Sequence, residues 1–243
     1  MQKYFINENI ELNKSFKIES SDQHHIEKVM RNKNGDQIIC VDLKHIQYLC
    51  LIENVQEGTI LPIEKLDINN ELDVEVTLVY ALPKGDKFEF VLQKACELGV
   101  HHIIPLSSKR CVVKLTKDKF NKKLPRYQKI LKEQSGRNRI PSIEEVKTIK
   151  ELKPYLKDYN LVAYEETAKQ HEHGELFHTL QQLKAGDQLL IIVGCEGGFD
   201  ESEIQELNEM GVKCCSLGNR ILRSETAPLY LMSVIGYSRE LIK

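Results

Sequence analysis

Leu190-Ile191-Ile192-Val193-Gly194-Cys195-Glu196-Gly197-Gly198-Phe199-Asp200 is the stretch on which the fold reading turns. Four large apolar residues in a row have the length of a strand buried on both faces. They run into glycines and then into Asp200, which can cap a helix, with Glu203 three residues on as its capping-box partner. A buried strand that turns directly into a helix belongs to a parallel α/β sheet. Glycines let a ligand approach the backbone, and the free N–H groups of a helix start favour anionic or polar groups. The string is neither GxGxxG nor a Walker loop, so an ordinary dinucleotide or ATP site is disfavoured. A plain tight strand-to-helix turn would use the same residues.

Ser216-Leu217-Gly218-Asn219-Arg220-Ile221-Leu222-Arg223-Ser224-Glu225-Thr226-Ala227 is a second strand end of this kind. A strand over Val212–Leu217 stops at Gly218, and a loop then carries Arg220 and Arg223. Ser224 is expected to cap a long apolar helix over Thr226–Leu241, with Pro228 in its first turn. Ligands bind at the C-terminal edge of parallel sheets, so arginines there point to function. Glu225 could simply complement the helix dipole. A third stretch, Glu133-Gln134-Ser135-Gly136-Arg137-Asn138-Arg139-Ile140-Pro141, offers two arginines suited to phosphate, or a helix end with exposed cations.

Outward from these strings, the texture divides near residue 70. Residues 1 to about 68 read as short strands and turns, with Asn34-Gly35-Asp36 as a turn before a strand over Gln37–Asp42, and another strand over Tyr48–Asn54. Polar Leu66–Asn70 reads as a linker. Beyond it, strands over Leu72–Ala81, Val100–Leu106, Leu161–Tyr164 and Gln188–Gly194 alternate with helical patterns. Phe88, Val91, Leu92, Ala95 and Leu98 mark one helix, with Gly99 at its C-cap. Phe120, Leu124, Tyr127 and Leu131 mark a second, and Glu203–Met210 a third. The expected division is a small β-rich domain over 1–70 and a mostly parallel α/β domain over 71–243.

Composition bounds the function. The chain has 243 residues, 41% of them hydrophobic and 29% charged, which excludes fibrous and mostly disordered classes. No apolar run reaches the roughly 18 residues of a membrane span, and no secretory signal follows Met1, so a cytoplasmic protein is expected. Seven cysteines, without CxxC spacing, read as reduced small hydrophobes. Histidines such as His24-His25, His101-His102, His171, His173 and His178 lack metal-ligand spacing, and no metal is expected. The net charge of −2 hides a polarity. Residues 109–153 hold 15 Lys and Arg against 5 Asp and Glu, a local charge of +10 in a chain otherwise at −12. Such a block suits an anionic partner, although a lysine-rich solvated helix face would look the same.

Taken together, these strings resemble the bacterial 16S rRNA uridine-N3 methyltransferase family (RsmE), within the SPOUT superfamily of knotted methyltransferases. The likeness covers nearly the whole chain. It includes Lys3-Tyr4-Phe5, His25 to Arg31 and Gly35-Asp36, then Pro83-Lys84-Gly85-Asp86-Lys87, Gln93-Lys94, Glu97-Leu98-Gly99 and Pro105-Leu106. It continues through Arg110-Cys111-Val112-Val113-Lys114 and Gly136-Arg137-Asn138-Arg139. The pairing of Gly194-x-Glu196-Gly197-Gly198-Phe199 with Leu217-Gly218-x-Arg220-Ile221-Leu222-Arg223-x-Glu225-Thr226-Ala227 is the specific element. Cys195 and Asn219 stand where the family usually has proline, and Lys3 where it often has arginine. The backbone stiffness of the two prolines is lost, whereas the charge at position 3 is kept.

The resemblance implies a PUA-like β-barrel followed by a trefoil-knotted α/β domain, a homodimer, and S-adenosylmethionine as methyl donor. It implies that Val193, Gly194, Glu196, Gly197, Gly198, Leu217, Gly218, Asn219, Ile221 and Leu222 hold the cofactor. Uracil N3 must lose its proton, and Arg220 and Arg223 are the candidates to stabilise the resulting anion. Glu196 or Glu225 could accept the proton or orient an arginine. Lys3, Arg31, Lys84, Arg110, Lys114, Arg137 and Arg139 are the expected contacts to 16S rRNA or the small ribosomal subunit. A knotted methyltransferase with another RNA target, or a noncatalytic RNA-binding assembly factor, are the other readings, the second requiring a collapsed pocket.

Overall fold

The computed structural model describes residues 1–166 and 174–242; His171 and His173 lie outside the described residues. The chain divides into two compact units. The first comprises Met1–Asn70 with Gly136–Arg139, the second Glu71–Ser135 with Ile140–Lys243.

In the first unit, strands β1 (Lys3–Phe5), β2 (Phe16–Lys17), β3 (Gln37–Val41), β4 (Gln47–Asn54) and β5 (Thr59–Leu66) form one sheet in the order β1-β3-β4-β5-β2. β1 pairs parallel to β3 and the other pairs are antiparallel, so the sheet is half of a barrel with β1 and β2 at its edges. Its turns are built by side chains: Asp42 Oδ1 accepts from the Lys44 and Ile46 amides, and Asn54 Oδ1 from those of Gln56 and Glu57. Ile38, Cys40, Cys50, Ile52 and Ile60 fill the core beneath the sheet. A short helix, α1 (Ser20–His24), continues as a π-turn over His25–Val29, where only strands and turns were expected. It buries Ile26 alone, too little periodicity to read from sequence.

Asn138 is the polar hub of this unit. Its Oδ1 accepts from Gln47 Nε2 (2.7 Å) and the Asn70 amide (3.0 Å). Its Nδ2 donates to the carbonyls of His45 (2.9 Å) and Ile68 (3.0 Å). Every hydrogen-bonding capacity of the amide is used, and the residue is buried.

The second unit holds six parallel strands, β6 (Glu75–Ala81), β7 (His102–Leu106), β8 (Ser142–Ile143), β9 (Tyr159–Ala163), β10 (Gln188–Val193) and β11 (Lys213–Cys215). Their order is β11-β9-β10-β6-β7-β8. The chain advances from β6 outward to β8, crosses back to β9, and then inserts β10 between β9 and β6. Leu189–Val193 are therefore buried on both faces, as five consecutive apolar residues require. The strand order also brings the ends of β10, β9 and β11 side by side, the kind of position where a parallel sheet opens a crevice.

Helices α2 (Lys87–Glu97), α3 (Lys117–Gln134), α4 (Glu175–Gln182), α5 (Glu201–Glu209) and α6 (Thr226–Gly236) pack around this sheet. Gly99 follows α2 with φ of 102°, the left-handed backbone expected of a C-cap glycine. Tyr80 of β6 stacks on Phe88 (6.0 Å), Phe88 meets Tyr127 edge-on (5.2 Å), and Tyr127 meets Phe120 (5.7 Å). This aromatic row locks α2 and α3 to the sheet and fixes where α2 begins. The expected capping box at Asp200 and Glu203 is present.

Ser224 does not cap the last helix. The Arg223 carbonyl accepts from the Thr226 and Ala227 amides, so the turn already begins at Arg223. Glu225 stands at the N-cap, and the buried Ser224 hydroxyl donates to Glu225 Oε2 at 3.1 Å. The helix expected over Thr226–Leu241 changes at Gly236 into a π-turn over Tyr237–Leu241, where Arg239 grips Asp73 at 2.8 and 2.6 Å and the Leu183 carbonyl at 2.7 Å. No helix among the described residues is long and apolar enough to cross a membrane.

Candidate active site

Three loops leave the C-terminal ends of adjacent strands and enclose one cavity of about 640 Å³. From β10 come Val193, Gly194, Cys195, Glu196, Gly198 and Phe199. From β11 come Leu217, Gly218, Asn219, Arg220, Ile221, Leu222, Arg223 and Ser224. Between them, the end of β9 supplies Ala163, Tyr164, Glu165 and Glu166. Arg110, Glu201 and Ala227 complete the wall. The two glycine-bearing strings of the sequence, separated by fifteen residues, thus line one space. The β9 end carries no glycine or motif. Its only signal was its place at a strand terminus.

The glycines at the β10 end are set by contact and by backbone. A Cβ on Gly194 would lie 3.1 Å from Gly198 Cα and 3.2 Å from the buried Phe199 ring. Gly198 has φ of 64° and Gly218 of 94°, both in the left-handed region. Gly197 does not line the cavity. It lies under Arg110, whose Cβ would be 3.1 Å from a Gly197 Cβ and whose guanidinium donates to the Gly197 carbonyl at 3.2 Å. The stiffness expected to be lost with proline at 195 is partly restored by a turn: the Gly198 amide donates to the Cys195 carbonyl at 2.9 Å. Cys195, Cys111 and Ser108 form a cluster beneath, with Ser108 Oγ 3.1 Å from Cys111 Sγ and 4.0 Å from Cys195 Sγ. Hydrogen bonding from the Cys111 thiol, with the Gly197 amide and Ser108, outweighs burial and favours the Cys195 thiolate.

The carboxylates were expected to serve as proton acceptor or arginine orienter. Both instead bind Lys87, at the first residue of α2, whose Nζ is 3.0 Å from Glu196 Oε1 and 3.0 Å from Glu225 Oε2. The Lys84 amide also donates to Glu196 Oε1 at 3.2 Å. Burial pulls the Glu196 pKa up, but the Lys87 ammonium and backbone amides outweigh it and hold it below the usual carboxylate range. At Glu225 its own backbone amide and Lys87 lower the pKa against burial. The Lys87 ammonium is stabilised in turn by Glu196 and then Glu225. Carboxylates so held are weak bases. Arg220 and Arg223 remain exposed on the loop, and Ile221 beside them is 81% exposed.

The expected RNA contacts separate into three groups. Arg110 lines the cavity, with its other contact to Asp200 at 3.8 Å. Arg31, Lys84, Lys114 and Arg139 are exposed, Arg31 with φ of 56°. Lys3 is committed to hydrogen bonds within the protein, and Arg137 is buried. Lys3 Nζ donates to Asn70 Oδ1 (3.0 Å) and the Gly136 carbonyl (2.7 Å), a task that needs a point charge rather than an arginine fork. Arg137 is 5% exposed, so its guanidinium is not presented to a polyanion. Sequence could not separate buried from exposed arginine within Gly136–Arg139.

The family described as "RNA methyltransferase domain" matches residues 70–236, and that described as "RNA methyltransferase PUA domain" matches residues 18–61. Ribosomal RNA small subunit methyltransferase E of Bacillus subtilis is 42% identical, covering 100% of this chain and 99% of that relative. The protein of that name in Mesomycoplasma hyopneumoniae is 35% identical, covering 96% and 98%. A crystal structure of a ribosomal RNA small subunit methyltransferase E from Neisseria gonorrhoeae, bound to S-adenosyl methionine, matches with a TM-score of 0.84 at 28% identity, covering 97% of this chain and 96% of that one.

Proposed function

Because the chain belongs to the ribosomal RNA small subunit methyltransferase E family, we propose that it methylates N3 of a uridine in 16S ribosomal RNA with S-adenosylmethionine as donor. The observation that carries this reading is the single cavity shared by the β9, β10 and β11 loops. Its residues fit an adenosyl group: the space is ligand-sized, and its floor is bare backbone at Gly194 and Gly198, where a side chain has no room or the wrong φ. Val193, Leu217 and Leu222 offer apolar cover, and the main chain of 194–198 and 217–219 offers hydrogen bonds. The cofactor supplies an already activated methyl group.

The protein then has to position two reactants and manage one proton. The target uridine must leave its stack to enter the cavity. Uracil N3 gives up its proton as it becomes the nucleophile, and the guanidinium of Arg223, with Arg220 beside it, stabilises the developing anion. With Glu196 and Glu225 both bound to Lys87, proton acceptance falls to solvent or the RNA, and the two carboxylates hold loops. Arg110, Lys84, Lys114, Arg139 and Arg31 are the RNA contacts. A collapsed pocket, which the noncatalytic reading needs, is not what the cavity offers.

The finer expectations stand on the same resemblance: the C-terminal segment threaded as a trefoil knot, a homodimer, and a cytoplasmic location alongside ribosomal RNA. The test of the activity is nucleoside mass spectrometry of small-subunit RNA incubated with the purified protein and S-adenosylmethionine. The expected product is 3-methyluridine. No methylated uridine at saturating cofactor, or a methyl on a ribose or another base, would replace this reading.

A further inference from the structure

Among the described residues, Lys87 is the cation whose ion pairs reach both signature loops. The Glu196 loop follows β10 and the Glu225 loop follows β11, strands separated in the sheet by β9. Neither loop is fixed to the other by backbone pairing, yet both carboxylates end on the same Nζ at 3.0 Å. The side chains are only partly exposed, 29% for Lys87, 31% for Glu196 and 25% for Glu225, so water shields them incompletely. The backbone that carries Lys87 is seated by packing. The neighbouring Phe88 is stacked on Tyr80 of β6 and packed against Tyr127 of α3. The Lys84 amide, on the turn before α2, adds a further bond to Glu196.

We infer that Lys87 is a positioning residue for methyl transfer, a cationic latch that holds the β10 and β11 loops in the conformation that binds the cofactor. Without it, two carboxylates within about 6 Å of each other, each placed 3.0 Å from one departed charge, repel and the loops part. Like charges sharing a site raise one pKa, so acidification puts a proton on the pair and lets it close again. The pH dependence has the sign of a carboxylate–ammonium pair: loss of Lys87 harms the protein more at pH 7 than at pH 4.5, close to the carboxylate range. The groups facing the pair are Lys87, the Tyr80 phenol, the Cys195 thiol and the Ser224 hydroxyl. The Tyr80 phenol is pushed up by burial, out of this window. The Cys195 thiol, its pKa lowered to about 6 and facing Glu196, titrates in the same range, so parent and variants are compared in a Cys195→Ser background.

This inference rests on the cofactor reading above, and its test separates the two. The full-length protein and Lys87→Met are compared at pH 4.5 and pH 7 by thermal melting without ligand and by calorimetric titration with S-adenosylhomocysteine. The expected loss of affinity relative to the parent is about tenfold at pH 7 and about twofold at pH 4.5, with a melting-temperature gap that narrows in the same direction. Lys87→Arg, which keeps the charge, is expected to recover both. The double variant Lys87→Met/Glu225→Gln removes the repulsion and is expected to melt with no pH-dependent gap, which keeps the test decisive if Lys87→Met alone does not fold. An equal loss at both pH values, no loss, failure of Lys87→Arg to recover, or failure of the double variant to fold overturns the latch. A parent protein that does not bind S-adenosylhomocysteine overturns the cofactor reading instead, and the ligand-free melting still judges the latch.

Discussion

Gly194→Ala puts the close packing of the cavity floor to the test. The new methyl would sit 3.1 Å from Gly198 Cα, 3.2 Å from Phe199 Cε2 and 3.3 Å from the Gly198 carbonyl carbon. Two of these atoms are backbone, and the third belongs to a ring that is 1% exposed, so none can swing aside as a flexible side chain would. Gly194 is not among the positive-φ residues, so alanine adds no backbone strain. Reduced freedom of the unfolded chain would stabilise the variant by about 0.4–1 kcal/mol. Overpacking costs about 1–3 kcal/mol. Overpacking wins, for a net loss of about 1–2 kcal/mol and a fall in Tm of about 2–8 °C at this chain length. Because Gly198 is the backbone that must yield, and Gly198 lines the cavity, S-adenosylhomocysteine affinity should fall as well. Circular dichroism melts and calorimetric titration read the two effects. Gly136→Ala is the control: nothing lies within 4 Å of its Cβ and its φ is not positive, so stability should hold or rise slightly. A Gly194→Ala protein with parental Tm and affinity would show that the floor of the cavity is not close-packed backbone, and the fit to an adenosyl group would go with it.

Arg223→Ala should lower the single-turnover rate by about 100-fold or more while changing S-adenosylhomocysteine affinity by less than about threefold, since an anion stabiliser acts in the transition state; equal losses in both would make Arg223 a cofactor ligand. Asn138→Ala strips four hydrogen bonds from a buried hub and should cost about 2–4 kcal/mol in urea unfolding, whereas a loss below about 0.5 kcal/mol would mean that water replaces the amide. Arg239→Met tests the sign of a pH effect. The Arg239 guanidinium holds the Asp73 carboxyl below the usual range, so this contribution is complete above the unfolded carboxyl's pKa and disappears as pH falls through the lower folded value. The melting gap between parent and variant should be constant from pH 8 to pH 5, small because Asp73 is 44% exposed, and should shrink below about pH 4. A gap that grows on acidification would refute the pairing.

How far the sequence carried depends on what each signal encodes. The β10 strand and the Asp200–Glu203 box were legible because a run of apolar residues and a three-residue spacing are local facts, and the structure returns both. The first unit was legible only in part. β5 and the short α1 helix were missed, since Pro62 interrupts the first and the second buries one residue. The cavity was found through its glycines, and its β9 wall was not, because Ala163-Tyr164-Glu165-Glu166 becomes a wall only when β10 is inserted between β9 and β6.

Charge was the least legible property of all. Arg137 and Arg139 are two residues apart in one string, yet one is buried and the other exposed, and spacing does not encode that difference. Glu196 and Glu225 looked like alternatives for one chemical task because sequence shows carboxylates and hides the ammonium between them. Lys87 lies 109 positions from Glu196 and 138 from Glu225, and only the aromatic row that seats α2 brings its Nζ to both. A lysine equidistant from two carboxylates changes what each can do: its ammonium lowers the pKa of both and ties both loops to the start of one helix. The chemistry of the site is thus set as much by the start of a helix as by the two glycine strings that revealed it.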